Sequence, residues 1–284
     1  MTTGKPAAVR DLLRYLRRPG PAIALPSADD VATLVPPRAR GAMLLDYYSP
    51  DDVREALGRY GVTARLALRG FGPPDVELET ADPEHQIVRV HAPRNDRPWL
   101  LGEAFLHAGE FVTEAPFAQN LHHRRLRMLY IQWMRLQDPS RPFTPERPAL
   151  PGQDHPGLGI GREVMAMLFG MADRLQFAGL VSCPEFAHNA VLYKRSFRFF
   201  DPAAQGRFEA LATLVPRSRL AELAWAVEQG RVVDESTASP LRWAREEMIC
   251  PTSPLLREHF EAAAYHRRAD EARQAARYRL VDPA

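Results

Sequence analysis

"HPGLGIGREVMAMLFGMADRL", residues 155–175, is the stretch on which the reading of the fold turns. Glycines stand at 157, 159 and 161, and a run of good helix formers follows them. Positions without side chains let the backbone N–H groups of a short loop come close to a ligand. A helix that begins there aims the positive end of its dipole at the same place. The stretch therefore predicts an anion-binding turn followed by a helix to about Leu175. Two phosphate loops fit it poorly. A Walker loop needs Lys followed by Ser or Thr after its last glycine, whereas Arg162 and Glu163 follow Gly161. A dinucleotide fingerprint needs its third glycine one residue later and a strand immediately before it.

Downstream of this stretch, "AGLVSCP" reads as a short strand and "EFAHNAVLYKRSF" as a second helix. Upstream, "MLYIQWMRLQ" (128–137) reads as an apolar central strand. The link to the loop, "DPSRPFTPERPALPGQDHP", is too rich in proline for a regular element. Further back, "SPDDVREALGRYG" carries helix signals, with Ser49 or Asp51 as cap and Gly61 as stop. "VTARLALRGF", "VELETADPEHQIVRVHA" and "WLLGEAFLHAGEFV" alternate as half-buried strands do. From Pro216 onward the chain reads as helical, in "PRSRLAELAWAVEQG", "PLRWAREEM" and "SPLLREHFEAAAYHRRADEARQAARYRL". The expected fold class is α/β (α+β): a mixed, mostly antiparallel sheet flanked by helices, with a helical C-terminal extension. The expected parts are an N-terminal arm (1–45), a central domain (46–212) and the extension (213–284).

Composition narrows the function classes. The chain has 284 residues, 45% of them hydrophobic, which is enough for a substantial core. It has no apolar run of about 18 residues, so no membrane partner is expected. The N-terminus scatters charges through its first 20 residues and predicts no secretory signal. Two distant cysteines, Cys183 and Cys250, offer neither a disulfide framework nor a cysteine zinc site, in keeping with a reducing cytoplasm. The basic residues are almost all arginine, with Lys5 and Lys194 the only lysines, a coding bias expected of a G+C-rich bacterial genome. The net charge is only +2. The basic stretch "HHRRLRMLYIQW" (122–133) reads as a loop entering a buried strand, so nucleic acid is not expected as a partner. His122 and His123 are adjacent and point apart in an extended chain, so no metal pair is expected there.

The glycine loop, its helix, the next strand and "HNAVLYKRSFRF" together resemble the GNAT superfamily of acyl-CoA-dependent N-acyltransferases. The resemblance spans roughly 46–205, and its motifs lie within 155–199. It implies a GNAT-like domain binding acetyl-CoA or another acyl-CoA as cosubstrate. The pyrophosphate would sit on the loop formed by Gly157, Leu158, Gly159, Ile160, Gly161 and Arg162, with Asn189 on the later helix. It implies direct acyl transfer to a small-molecule or protein amine through a tetrahedral intermediate. A backbone N–H between Leu129 and Met134 would meet the oxyanion, Tyr193 would protonate the departing thiolate, and no metal is called for. Among the residues that could deprotonate the amine, Glu110 and Glu185 stand beside strand-like segments, and His155 and His188 flank the loop and the later helix. The sequence also departs from the family pattern. Pro156 occupies the slot of a polar Gln or Arg, and Asn189 and Tyr193 stand closer together than the pattern has them. These departures keep open a GNAT-like module that binds a ligand or protein without turnover. The C-terminal helices are expected to pack on the domain's own face, with a homodimer or a bound partner as their other uses.

Overall fold

A computed structural model describes residues 43–216 and 219–282. The arm expected over 1–45 lies outside the described residues except for its last three. The chain forms a large, mostly antiparallel sheet flanked by helices, and it clusters into two compact units that are discontinuous in sequence. Among the described residues, no helix is long and apolar enough to cross a membrane.

The first unit comprises described residues 43–108, 133–137 and 158–168. It opens with helix α1 (Pro50–Arg59), started by a capping box: the Ser49 hydroxyl accepts from Asp52 N–H while the Asp52 carboxylate accepts from Ser49 N–H. Such a cap contributes about 1 kcal/mol. Val53 and Leu57, four apart, form the buried stripe of α1. The next segment corrects the sequence reading. "VTARLALRGF", expected as a strand, is helix α2 (Val62–Ala67), entered through Gly61 in the left-handed region at φ 82°. Val62 and Leu66 are its buried residues. A spacing of four fits one helical face, and the polar–apolar alternation was incidental. Strands β1 (Asp75–Glu79), β2 (Gln86–Arg94) and β3 (Arg97–Phe111) follow as an antiparallel meander. The β2–β3 turn puts Asn95 and Asp96 at φ 52° and 57°, the left-handed pair that a two-residue hairpin demands. The unit also takes in the end of strand β4 (Leu126–Leu136) and the first turns of helix α3 (Gly161–Arg174).

The second unit holds the remainder of β3, β4 and α3 together with everything beyond them. Strand β5 (Gly179–Ser182) runs parallel to β4, with Met128, Leu129 and Tyr130 opposite Gly179, Leu180 and Val181. With α3 between them, these strands make the one crossover unit that the sequence suggested. Next come helix α4 (Ala187–Tyr193), strand β6 (Arg198–Phe199), helix α5 (Pro202–Ala212) and helix α6 (Leu220–Glu228).

The C-terminal part is helical as expected, in α7 (Pro254–Glu261) and α8 (Ala263–Ala275), but it also contains strands. These are β7 (Val232–Asp234), β8 (Ser239–Pro240), β9 (Met248–Pro251) and β10 (Tyr278–Leu280). "PLRWAREEM", expected as a helix, runs from the end of β8 to the start of β9 without regular structure between them. Trp243 holds it by donating from Nε1 to the Pro184 carbonyl at 2.9 Å. The sheet order is β1-β2-β3-β4-β5-β9-β6, and β10-β7-β8 form a separate small sheet. The second unit has an aromatic core containing Phe111, Phe200, Phe260 and Tyr265, and the buried Tyr265 hydroxyl donates to Phe199 O at 2.6 Å. Helices α5 and α8 cross closely at Gly206. A Cβ there would stand 2.7 Å from Arg273 N and 2.9 Å from Ala272 Cβ.

Candidate functional site

In the first unit the glycine loop is built by folding its own side chains away. Leu158 and Ile160 are 0% and 3% exposed, so both anchor the loop from inside and offer a ligand only backbone. The Leu158 N–H is already committed, donating to Leu136 O at 3.2 Å. Beyond it, Gly159 takes φ 64°, a conformation that costs any residue with a Cβ about 1 kcal/mol or more. The N–H groups of Gly159, Ile160, Gly161 and Glu163 donate to no acceptor among the described residues. These are the orphan donors of a 14-residue helix, joined by those of the turn that leads into it. A Cβ on Gly161 would meet nothing within 4 Å, so the first turn faces open space.

Three guanidiniums surround this turn. Arg69 places Nη2 3.4 Å from where a Gly159 Cβ would be, and its Nη1 donates to Arg65 O at 3.0 Å. Arg65 reaches Glu163 with Nε at 3.2 Å and Nη2 at 3.1 Å, and Arg162 Nη2 lies 3.4 Å from the same carboxylate. The Glu163 side chain is only 2% exposed. A buried carboxylate is tolerable here because arginines pair with it and the helix N-terminus favours its charge. Arg65 and Arg162 thus share one buried carboxylate, and Arg69 stands beside the same turn. Arg65 and Arg69 were missed in the sequence because their segment was taken for a strand. Their spacing of four, read as helical, places both on one face of α2 and its C-terminal turn.

The other predicted residues belong to the second unit and are differently placed. Gly157 gives its carbonyl to Arg147 Nη2 at 2.8 Å, and Pro156 gives its own to Asp138 N at 2.7 Å. Both bonds tie down the proline-rich excursion, which Trp225 also holds by donating from Nε1 to Ala149 O at 2.8 Å. Glu110 is exposed and paired with Arg125 at 2.6 Å, and Glu185 is exposed and paired with Arg245 at 2.8 Å. Both glutamates thus have an arginine partner. Tyr193, at the end of α4, packs its ring on Phe197 at 5.7 Å, and burial raises the pKa of its hydroxyl. Asn189 is half-buried on the same short helix. His155 is half-buried, while His188 is 3% exposed, stacked on Phe186 at 5.4 Å, with Nδ1 lacking a hydrogen-bond partner among the described residues. Burial pushes its imidazole down to about 4.

The strand segment Leu129–Met134, expected to face the reacting carbonyl, is the middle of β4. Pairing with β5 ends at Tyr130↔Val181, although β4 runs on to Leu136. Against known proteins, no family model matches this chain, and no curated protein matches it either.

Proposed function

We propose that the chain binds an acyl-CoA through the turn at 158–163 and transfers the acyl group to an amine. The observation that carries this reading is the set of donors left without acceptors at Gly159, Ile160, Gly161 and Glu163, beside Arg65, Arg69 and Arg162. Diphosphate is a fitting occupant, because its oxygens accept several N–H bonds at once and a helix N-terminus favours its charge. The parallel β4–β5 pair, with α3 as its crossover, supports the same reading. In β4 beyond Tyr130 the backbone is free of β5 and can meet the amides of a pantetheine arm.

An acyl-CoA supplies the activated thioester. The protein's part is then to hold the diphosphate, offer a backbone N–H of β4 to the developing oxyanion and protonate the leaving sulfur. The resemblance assigns the last task to Tyr193, since a phenol is protonated near neutral pH. The second reading, a binding module without turnover, draws on the ion pairs that hold Glu110 and Glu185 and on Pro156 in the polar slot.

Titration calorimetry with acetyl-CoA and coenzyme A tests the proposal. Wild type is expected to bind both, and Gly159→Asp combined with Gly161→Asp is expected to abolish binding in a protein that still melts cooperatively. No binding by wild type, or binding unaffected by the double change, overturns it. Release of coenzyme A across a panel of amines, lost in Tyr193→Phe, separates the enzyme from the module.

A further inference from the structure

We infer that the second unit carries a separate site for a small zwitterion with an apolar body, of the free α-amino-acid class. The site is an open cleft of about 400 Å³ between the C-terminal end of α6 and the irregular segment that follows β8. That volume lies within the range of small-molecule sites. None of its lining residues belongs to the glycine loop.

The walls supply three kinds of chemistry. The apolar part comes from Phe186, Val227, Leu241 and Trp243. Trp243 is pre-oriented, because its Nε1 bond to Pro184 O and its edge-to-face packing on Phe199 at 6.2 Å hold the ring in place. A fixed aromatic wall contributes contact area without losing side-chain freedom on binding. The negative part comes from Glu228, the last residue of α6, where the carbonyl end of the helix adds to its charge. The positive part comes from Arg242.

Pairing distinguishes Glu228 and Arg242 from the other charges of the cleft. Glu185 and Arg245 satisfy each other at 2.8 Å. Glu228 and Arg242 form no ion pair among the described residues, yet both line the same cleft. An ammonium for Glu228, a carboxylate for Arg242 and an apolar side chain for the walls are the three features of an apolar amino acid. Neither charge is needed to hold the fold, so both are open to substitution.

The test uses three probes on the full chain: L-phenylalanine, phenethylamine, which lacks the carboxylate, and 3-phenylpropanoate, which lacks the ammonium. Calorimetry is expected to show L-phenylalanine binding at least about tenfold more tightly than either single-charge analogue, the range expected for a lost charge-assisted hydrogen bond. Arg242→Ala is expected to weaken L-phenylalanine about tenfold and leave phenethylamine unchanged. Glu228→Gln is expected to weaken both ammonium-bearing probes and leave 3-phenylpropanoate unchanged. The inference is overturned by no binding of L-phenylalanine at about 10 mM. Equal affinity for all three probes, or L-phenylalanine binding indifferent to both substitutions, also overturns it.

Discussion

The first turn of α3 and the interior of the second unit use the same kinds of residue in opposite ways. Gly161 begins a helix, and a Cβ on it would meet nothing within 4 Å. Gly206 lies within a helix, and a Cβ on it would collide with the backbone of α8. Glu163 is buried but met by arginines, whereas His188 is buried with an imidazole nitrogen that finds no partner. In the first region space and donors are kept open toward solvent. In the second they are closed off by protein. The lesson is that a glycine or an ionisable residue acquires its meaning from what stands opposite it.

The sharpest way to test this contrast is Gly206→Ala. Helix propensity alone predicts a gain of about 1 kcal/mol. The close approach of α8 predicts instead a loss of about 3 kcal/mol, since neither backbone can yield without unpacking the pair. Chemical denaturation decides between the two signs, and a stabilised variant would break the comparison.

His188 gives the next largest effect. Its folded pKa of about 4 lies below the ordinary value near 6.5, so below pH 6.5 the unfolded chain takes up the proton first. Stability is therefore complete above about 6.5, is lost as pH falls through the window down to about 4, and levels off below it. At pH 5 the loss from this group is about 2 kcal/mol. His188→Phe should keep the stack on Phe186 and flatten that part of the pH dependence. Denaturation curves at pH 7 and pH 5 measure it, and the slope should shrink without vanishing, because burial also lowers His259.

At the open region the expected effects fall on binding. Arg69→Ala should weaken coenzyme A about tenfold with little change in melting temperature, the reverse of the pattern at Gly206. Calorimetry beside a thermal melt reads both quantities. The smallest effect is expected at Gly161→Ala, which places a methyl in open space at a helix start. Its stability should stay within about 0.5 kcal/mol of wild type. A large loss there would show that the turn is less open than its geometry states.

Much of the first region was legible in the sequence. The alternating glycines, the helix after them and the cap at Ser49 are local features, and local chemistry decides them. The strands at 75–79, 86–94 and 97–111 also followed from their alternation. Helix α2 was not legible, because six residues with Val62 and Leu66 inward satisfy a two-residue period nearly as well as a helical one. The arginines of the candidate site were missed for the same reason. Strand β9 was hidden by brevity: "MICP" is four residues beside charged chain, and only its place beside β5 and β6 makes it a strand. Nor could spacing show that Glu110 and Glu185 are held by Arg125 and Arg245, since Glu185 and its partner lie 60 residues apart.

Strand β9 has a further consequence for the order in which the protein can be assembled. In the sheet it stands between β5 and β6, and β6 pairs with it at the sheet's end. A growing chain that has reached Phe199 must therefore wait for about fifty more residues before that edge can close. Until then β5 presents an unpaired border of Leu180 and Val181, a surface prone to join with another chain. Cutting away the last seventy residues would not trim an appendage. It would leave a sheet permanently waiting for its final strand.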